Sequence, residues 1–293
     1  MQVGLHGKEF SLKSLPVIER VLDLIHEHGA EACVSSSFAS QLKKAGSKQK
    51  FRVYDKGASL KEMKFVLSLG GDGTLLETVS HVAKAEVPVL GINLGRLGFL
   101  ATINKDETTM ALDKLFEGAY TIDRRSLLRL ELKQDLFEGL NFALNDLTVL
   151  KKDTATMLII HTHIDGEYLN SYWADGLIVS TPTGSTGYNL SCGGPLIHPK
   201  SSNFIITPVS PHNLTARPII LPDSSEITLE VEGRSKNFLI TLDSRVATGV
   251  AGLKLVVKRE NFTANLIQLE GQHYFKTLRS KLNWGFAVSL TGV

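Results

Sequence analysis

Val66-Leu67-Ser68-Leu69-Gly70-Gly71-Asp72-Gly73-Thr74-Leu75-Leu76 decides how the rest of this 293-residue chain is read. A short apolar run reads as a buried strand. It ends in Gly-Gly-Asp-Gly, and a helix-compatible stretch follows at once. The glycines mark a turn where the backbone comes close to something or takes positive φ. Asp72 stands at the tip of that turn, and the amides opening the next helix favour anions. A phosphate and a base could meet here. A tight strand-to-helix turn with an Asp cap is the plainer alternative.

Around this stretch the chain reads as strand, helix, strand, strand, helix, strand. Residues 2–5 form a first strand. Leu15, Ile18, Val21, Leu22 and Ile25 recur at helical spacing, with Ser14 as cap, Pro16 in the first turn and Gly29 past the end. A strand near 30–35 follows, then a Ser-, Lys- and Gly-rich stretch over 36–62 expected to be a mobile insert. Val87–Ile92 reads as another buried strand, and 106–117 as a helix with Asn104 or Asp106 as cap and Gly118 as stop. Such an order predicts a Rossmann-like α/β domain over 1–123, with ligands at the carboxyl ends of its strands. Then the period changes to two. Leu128, Leu130 and Leu132 alternate with Arg129, Glu131 and Lys133, and Ile227, Leu229 and Val231 with Thr228, Glu230 and Glu232; Phe238, Ile240 and Leu242 recur at the same spacing. This predicts an antiparallel β-rich domain, a β-sandwich, over 124–271. The tail 272–293 looks helical and is expected to return to the first domain.

Composition narrows the function classes. The chain is 43% hydrophobic and 21% charged, with a net charge of +2, which gives no warrant for a nucleic-acid or membrane partner. Cys33 and Cys192 have no metal or redox spacing. Without an apolar leader or an 18-residue apolar run, the expectation is a soluble cytoplasmic protein. No P-loop and no Gly-x-Gly-x-x-Gly after the first strand occur, which argues against P-loop kinases and ordinary dehydrogenases.

Two further stretches carry chemistry. Asp175-Gly176 opens a strand that runs into Thr181-Pro182-Thr183-Gly184-Ser185-Thr186-Gly187-Tyr188-Asn189-Leu190-Ser191. Its hydroxyls and amides suit ribose and phosphate oxygens, and Tyr188 suits a base; a hydroxyl-rich hairpin corner is the alternative. Asn145-Asp146, flanked by Leu144 and Leu147, either holds the two hydroxyls of a ribose or is a turn dipeptide. His161 and His163 share a strand face without a third metal ligand at useful spacing, so a solvated face is expected. His212 is expected to organise a loop.

Gly-Gly-Asp-Gly at 70–73, Gly-Ile-Asn-Leu-Gly-x-Leu-Gly-Phe-Leu at 91–100, Asn-Asp at 145–146, Asp-Gly-x-Ile-x-Ser-Thr-Pro-Thr-Gly-Ser-Thr at 175–186 and Pro-His-x-Leu-x-x-Arg-Pro at 211–218 together resemble the NAD kinase family. The resemblance implies transfer of the γ-phosphate of ATP to the 2′-hydroxyl of the adenosine ribose of NAD, giving NADP and ADP. It implies Asp72 as base or hydroxyl positioner, with Asp72 and Gly73 at the NAD site. Asn145 and Asp146 would fix the ribose. Thr183, Ser185, Thr186, Tyr188 and Ser191 would line the dinucleotide pocket, with Asp175 at its nicotinamide end. Gly70, Gly71, Gly73, Thr74, Asn93, Gly95 and Arg96 would lie by the ATP phosphates, screened by Mg²⁺ or another divalent ion without a dedicated cage. The turn and the hydroxyl-rich loop would face each other across a cleft between domains. A homodimer or homotetramer is implied as well. Departures from the family pattern are Asp146 for the usual Glu, Trp173-Ala174 for Arg-Gly, Gly187 for Ala and Arg245 for Gln. Arg245 either touches a phosphate of the dinucleotide or sits on the surface. A lipid or sugar kinase sharing the glycine turn and a non-catalytic nucleotide sensor are the competing classes.

Overall fold

The computed structural model describes residues 1–55, 60–95, 98–152, 157–233 and 236–284. The chain forms two compact units. One comprises Met1–Asp123 and the segment from Asn265 onward, and the other is Arg124–Ala264.

The first unit runs β1 (Gln2–Gly7), α1 (Leu15–Glu27), β2 (Glu31–Ser35), α2 (Ser36–Lys44), β3 (Arg52–Tyr54), β4 (Met63–Leu69), α3 (Asp72–Val82), β5 (Val89–Asn93), β6 (Ile103–Asn104), α4 (Thr108–Glu117) and β7 (Tyr120–Arg125). Its sheet begins β3-β2-β1-β4-β5, with these five strands parallel, and continues through a late strand to β7, while β6 pairs with β5. Strand order reverses between β1 and β4, the point where open α/β sheets collect ligands. Gly70–Gly73 follows β4 there.

The core holds Val3 and Leu5 of β1, Phe65, Leu67 and Leu69 of β4, and the buried stripe Ile18, Val21, Leu22 and Ile25 of α1. α1 keeps Pro16 in its first turn and Gly29 beyond its end at φ 69°. Ser14 makes no side-chain cap bond. Ser11 does so instead, accepting the Lys13 amide at the start of a 3-10 turn that leads into the helix. α4 is preceded by a capping box between Asn104 and Glu107 and stopped by Gly118 at φ 81°.

The expected mobile insert over 36–62 is corrected. α2 sinks Phe38, Ala39 and Leu42 into the core, and β3 extends the parallel sheet. Polar composition masked one buried helix face, which is all an outer helix needs.

The second unit runs β8 (Leu128–Glu131), β9 (Phe142–Ala143), β10 (Asp146–Lys151), β11 (Leu158–Ile164), β12 (Glu167–Ala174), β13 (Gly176–Ser180), α5 (Tyr188–Ser191), β14 (Asn203–Val209), β15 (Ile219–Pro222), β16 (Ile227–Gly233), β17 (Asn237–Leu242), β18 (Arg245–Val250) and β19 (Lys254–Arg259). Two sheets, β15-β14-β13-β10-β17-β18 and β12-β11-β16-β19-β8-β9, form a sandwich. Leu147, Val149, Leu177, Val179, Phe204 and Ile240 from one sheet share a core with Leu130, Ile160, Leu229, Val231 and Val257 from the other. Alternation places the opposite residues of β10, among them Asp146 and Thr148, on the outer face.

β20 (Ala264–Leu269) and α6 (Tyr274–Leu282) close the described chain. The expectation of a β-rich domain up to 271 is corrected here. β20 lies in the first unit's sheet, parallel to β5 with Leu266 opposite Val89, so the return to that unit comes at 265 rather than 272. Among the described residues no helix is long and apolar enough to cross a membrane.

Candidate active site

In the first unit, the apolar run becomes β4 and α3 begins at Asp72, with Gly71 as N-cap residue and no side-chain cap. The Asp72 carboxylate turns away from its own helix amides. Oδ2 accepts the amide of Phe99 at 2.8 Å, and Oδ1 accepts those of Leu100 and Ala101 at 3.0 and 2.9 Å. The glycine turn and the 91–100 motif are therefore one construction, joined through this carboxylate. Gly98 is essential to it, because a Cβ there would fall 1.8 Å from Asp72 Oδ1. A carboxylate has about four acceptor positions. The amides fill two on Oδ1 and one on Oδ2, which leaves Oδ2 able to accept one more donor.

Gly70 packs on Thr74, which is buried, while the Cβ positions of Gly71 and Gly73 face open space. α3 thus places its N-terminal amides beside an oriented carboxylate. Asn93 is buried, and its Oδ1 accepts the Gly95 amide at 2.7 Å, fixing the turn out of β5. Gly95 is exposed. Arg96 lies outside the described residues.

In the second unit, the Asn-Asp dipeptide and the hydroxyl-rich loop come together. Thr181 donates its amide to the Asn145 carbonyl at 2.9 Å and its hydroxyl to the Leu144 carbonyl at 2.5 Å. The Ser180 hydroxyl reaches the Asn145 carbonyl at 3.2 Å. Gly184 presses so close that a Cβ would meet that carbonyl at 2.2 Å. Asn145 Oδ1 is buried with no hydrogen-bond partner, an acceptor held ready for a donor.

Asp146 is 7% exposed and accepts the Thr148 hydroxyl at 3.1 Å. Burial, and then the charge of Asp243, push its carboxyl up to about 7, while the Thr148 bond pulls the other way. Asp243 accepts the amides of Leu144, Asn145 and Asp146, and burial raises its carboxyl despite these bonds.

The loop after β13 is two short helical turns, a 3-10 turn over Thr183–Thr186 and then α5. Tyr188 and Ser191 are exposed on α5. Thr186 is half-buried and donates to the Thr183 carbonyl, and Thr183 Oγ1 accepts from Arg125 at 3.2 Å. The expectation for Ser185 is corrected: its hydroxyl is fully buried, donates to the Ile197 carbonyl and accepts the Ile197 amide, so it staples the loop. Arg245 is not a free surface group. It donates to the carbonyls of Leu140 and Phe142 and lies over the Phe142 ring. Asp175 is half-buried, and its carboxylate pairs with Lys151 Nζ at 2.6 Å.

Comparison with known proteins accounts for both halves. A family model described as the ATP-NAD kinase N-terminal domain matches residues 3–120, and one described as the ATP-NAD kinase C-terminal domain matches 144–266. The NAD kinase of Cytophaga hutchinsonii is 47% identical over 287 residues, spanning 97% of this chain and 98% of that one. That of Flavobacterium psychrophilum is 42% identical over 291 residues with the same coverage. The chain belongs to the NAD kinase family. It is thus a kinase, a phosphotransferase. Two solved structures share its fold. Yeast NADH kinase complexed with NADH has a TM-score of 0.87 at 24% identity, covering all of this chain and 90% of that one. An NAD kinase from Archaeoglobus fulgidus in complex with ATP has a TM-score of 0.77 at 22% identity, covering 97% and 99%.

Within this family member, Thr148 and Asn189 gain roles that sequence reasoning passed over, and Asp243, which with Ser244 resembles an Asp-Gly or Asp-Ser pattern near the family's site, gains a definite one. Asp243 shapes the Asn-Asp turn. Thr148 tunes Asp146 from the same strand face. Asn189, fully buried, ties the Ser185 and Pro195 carbonyls to the Thr207 hydroxyl. An Asn inside a hydroxyl-rich loop was the available signal for the last. Asp243 had only its place in an Asp-Ser turn. The His161 ring bonds the Ser171 hydroxyl at 2.7 Å, and the His212 main-chain amide donates to the Trp173 carbonyl.

Proposed function

We propose that the chain transfers the γ-phosphate of ATP to the 2′-hydroxyl of the adenosine ribose of NAD, with the two halves divided between donor and acceptor. The observation that carries this is the Asp72 carboxylate, clamped by three amides with one acceptor position left over. Phosphoryl transfer is mostly positioning and charge stabilisation. A ribose hydroxyl needs an oriented acceptor for its proton, and Asp72 Oδ2 is the group in hand. The α3 amides and the Gly70–Thr74 turn suit the phosphates of the donor. Asn145 and Asp146 suit the ribose hydroxyls, with Thr183, Thr186, Tyr188 and Ser191 beside them.

Among the described residues no group of three or more His, Cys, Asp or Glu is placed to hold a metal ion. Mg²⁺ or another divalent ion is proposed to come bound to the ATP phosphates, as the family resemblance implies. A homodimer or homotetramer, supported by the family resemblance, working in the cytoplasm, as expected from the sequence composition, completes the reading.

The test is formation of NADP from NAD and MgATP, followed with an NADP-specific dehydrogenase. Asp72→Asn should lower kcat by about 10²–10⁴-fold, the usual worth of a positioned base. Turnover within a few-fold of wild type would remove Asp72 from the chemistry.

A further inference from the structure

We propose that Asp243 is a positioning residue for the dinucleotide half of the site. Its carboxyl group shapes the Leu144–Asp146 turn, and its closeness to Asp146 sets the pH range over which that turn binds a ribose diol. This rests on the kinase reading above.

Asp243 sits in the two-residue turn between β17 and β18 with φ 54°, a left-handed conformation that Asp adopts more readily than most side chains. Its side chain is 3% exposed. Oδ2 accepts the Leu144 amide at 2.9 Å, and Oδ1 accepts those of Asn145 and Asp146 at 2.7 and 3.4 Å. In return the Asp243 amide donates to the Asp146 carbonyl at 3.0 Å. Both sides of the turn are tied to a residue 97 to 99 positions later. Arg245 completes the clamp. Its guanidinium lies 4.0 Å from Asp243 Oδ2 and holds the Leu140 and Phe142 carbonyls on the strand that leads into the turn.

Holding three amides does not by itself call for a second buried carboxylate beside Asp146. Burying a charge next to a like charge is costly. The cost acquires a use if Asp146 must change its charge near neutrality. A ribose diol donates two hydrogen bonds to an ionised carboxylate and only poorly to a protonated one. Asp146, pushed up to about 7 by burial and by Asp243, then binds the diol more tightly as pH rises through neutrality. Asp243 is itself buried with its carboxyl raised, so it and Asp146 titrate as a pair rather than as a fixed charge beside a titrating group. The other titratable groups near Asp146 are Tyr188 and Cys192, whose shifts are upward and which stay neutral in that range, and Arg245, 4.0 Å from Asp243. Thr148 opposes Asp243 by donating to Asp146 Oδ1.

The experiment is calorimetric titration of NAD into the full chain across neutral pH. The KM for MgATP and the thermal unfolding of each variant are measured alongside. Asp243→Asn removes a charge and should move the midpoint of the affinity-against-pH curve about one to two pH units lower. It should also weaken NAD binding roughly tenfold or more at alkaline pH, because the turn loosens. Thr148→Val removes the opposing bond and should move the midpoint higher. Opposite displacements with an unchanged KM for MgATP support the inference, since a merely structural role would not move a midpoint in two directions. A midpoint common to all three proteins overturns it. If Asp243→Asn does not fold, an unmoved midpoint in Thr148→Val overturns it alone. A wild-type chain that neither binds nor phosphorylates NAD overturns the kinase reading and this inference together. One that does both with fixed midpoints overturns only the inference.

Discussion

Asp146→Asn should stabilise the protein while impairing dinucleotide binding, and the gain should grow with pH. The Asp146 carboxyl is raised from 3.8 to about 7 in the folded chain. A raised carboxyl gives stability that is fully present below the unfolded value and lost as pH climbs to the folded one. Between those limits the unfolded chain releases its proton and the folded chain keeps it. Above them the folded chain carries a charge it would rather not have. Three units at about 1.4 kcal/mol each make the full deficit about 4 kcal/mol. Near pH 5 roughly a third to a half of it has developed, or about 2 kcal/mol. Asn has the same shape, keeps an oxygen for the Thr148 hydroxyl and never ionises. Urea unfolding of both proteins at mildly acidic and mildly alkaline pH measures the difference. The variant should lead by about 2 kcal/mol in acid and by as much as about 4 kcal/mol in base. Its KM for NAD should rise more than its KM for MgATP. A variant that is less stable than wild type at both pH values, or whose advantage does not change with pH, would refute the argument that Asp146 is held against its preference.

Gly98→Ala should behave as a catalytic lesion without touching the dinucleotide half. Its Cβ would collide with Asp72 Oδ1, so kcat should fall by about 10²-fold or more with NAD affinity by calorimetry unchanged. Ser185→Ala should cost about 1–3 kcal/mol in urea unfolding, because the Ile197 amide and carbonyl lose their buried partner. Turnover of the part that remains folded should stay close to wild type, and a selective rise in the KM for NAD would instead place the hydroxyl against substrate.

Local patterns in the chain announced the parts whose partners lie close in sequence. β4, the glycine turn and α3 were legible because an apolar run, three glycines and a helical stretch are contiguous. The sandwich was legible from alternation in β8, β16 and β17. Other features depended on contacts that no local pattern encodes. β20 reads as one more short strand, and only its pairing with β5, far upstream, shows that it belongs to the first sheet. Asp72 was identified as the reactive carboxylate, yet its three amide partners lie 27 to 29 residues on, inside a motif read separately. In sequence Ser185 reads as a pocket-lining hydroxyl and Arg245 as either a phosphate contact or a surface group. Burial turned both inward to satisfy main-chain groups. The helix over 36–44 was missed because a single buried stripe of Phe38, Ala39 and Leu42 sits among serines and lysines.

The late return of β20 also bears on how the protein is made. Arg124–Ala264 is contiguous and can close its sandwich as soon as it leaves the ribosome. The first unit cannot finish, although its strands emerge earlier. β6 covers Ile92 and Asn93 of β5 soon after they emerge, but the Val89 end of β5 must wait for Leu266 of β20 until the whole intervening unit has been synthesised. During that interval one end of an aliphatic strand edge stands open, the kind of edge that recruits strands from other chains. Nascent chains stalled before residue 264 should therefore be the aggregating and chaperone-bound species, and release should follow translation of the last thirty or so residues rather than of the first hundred or so.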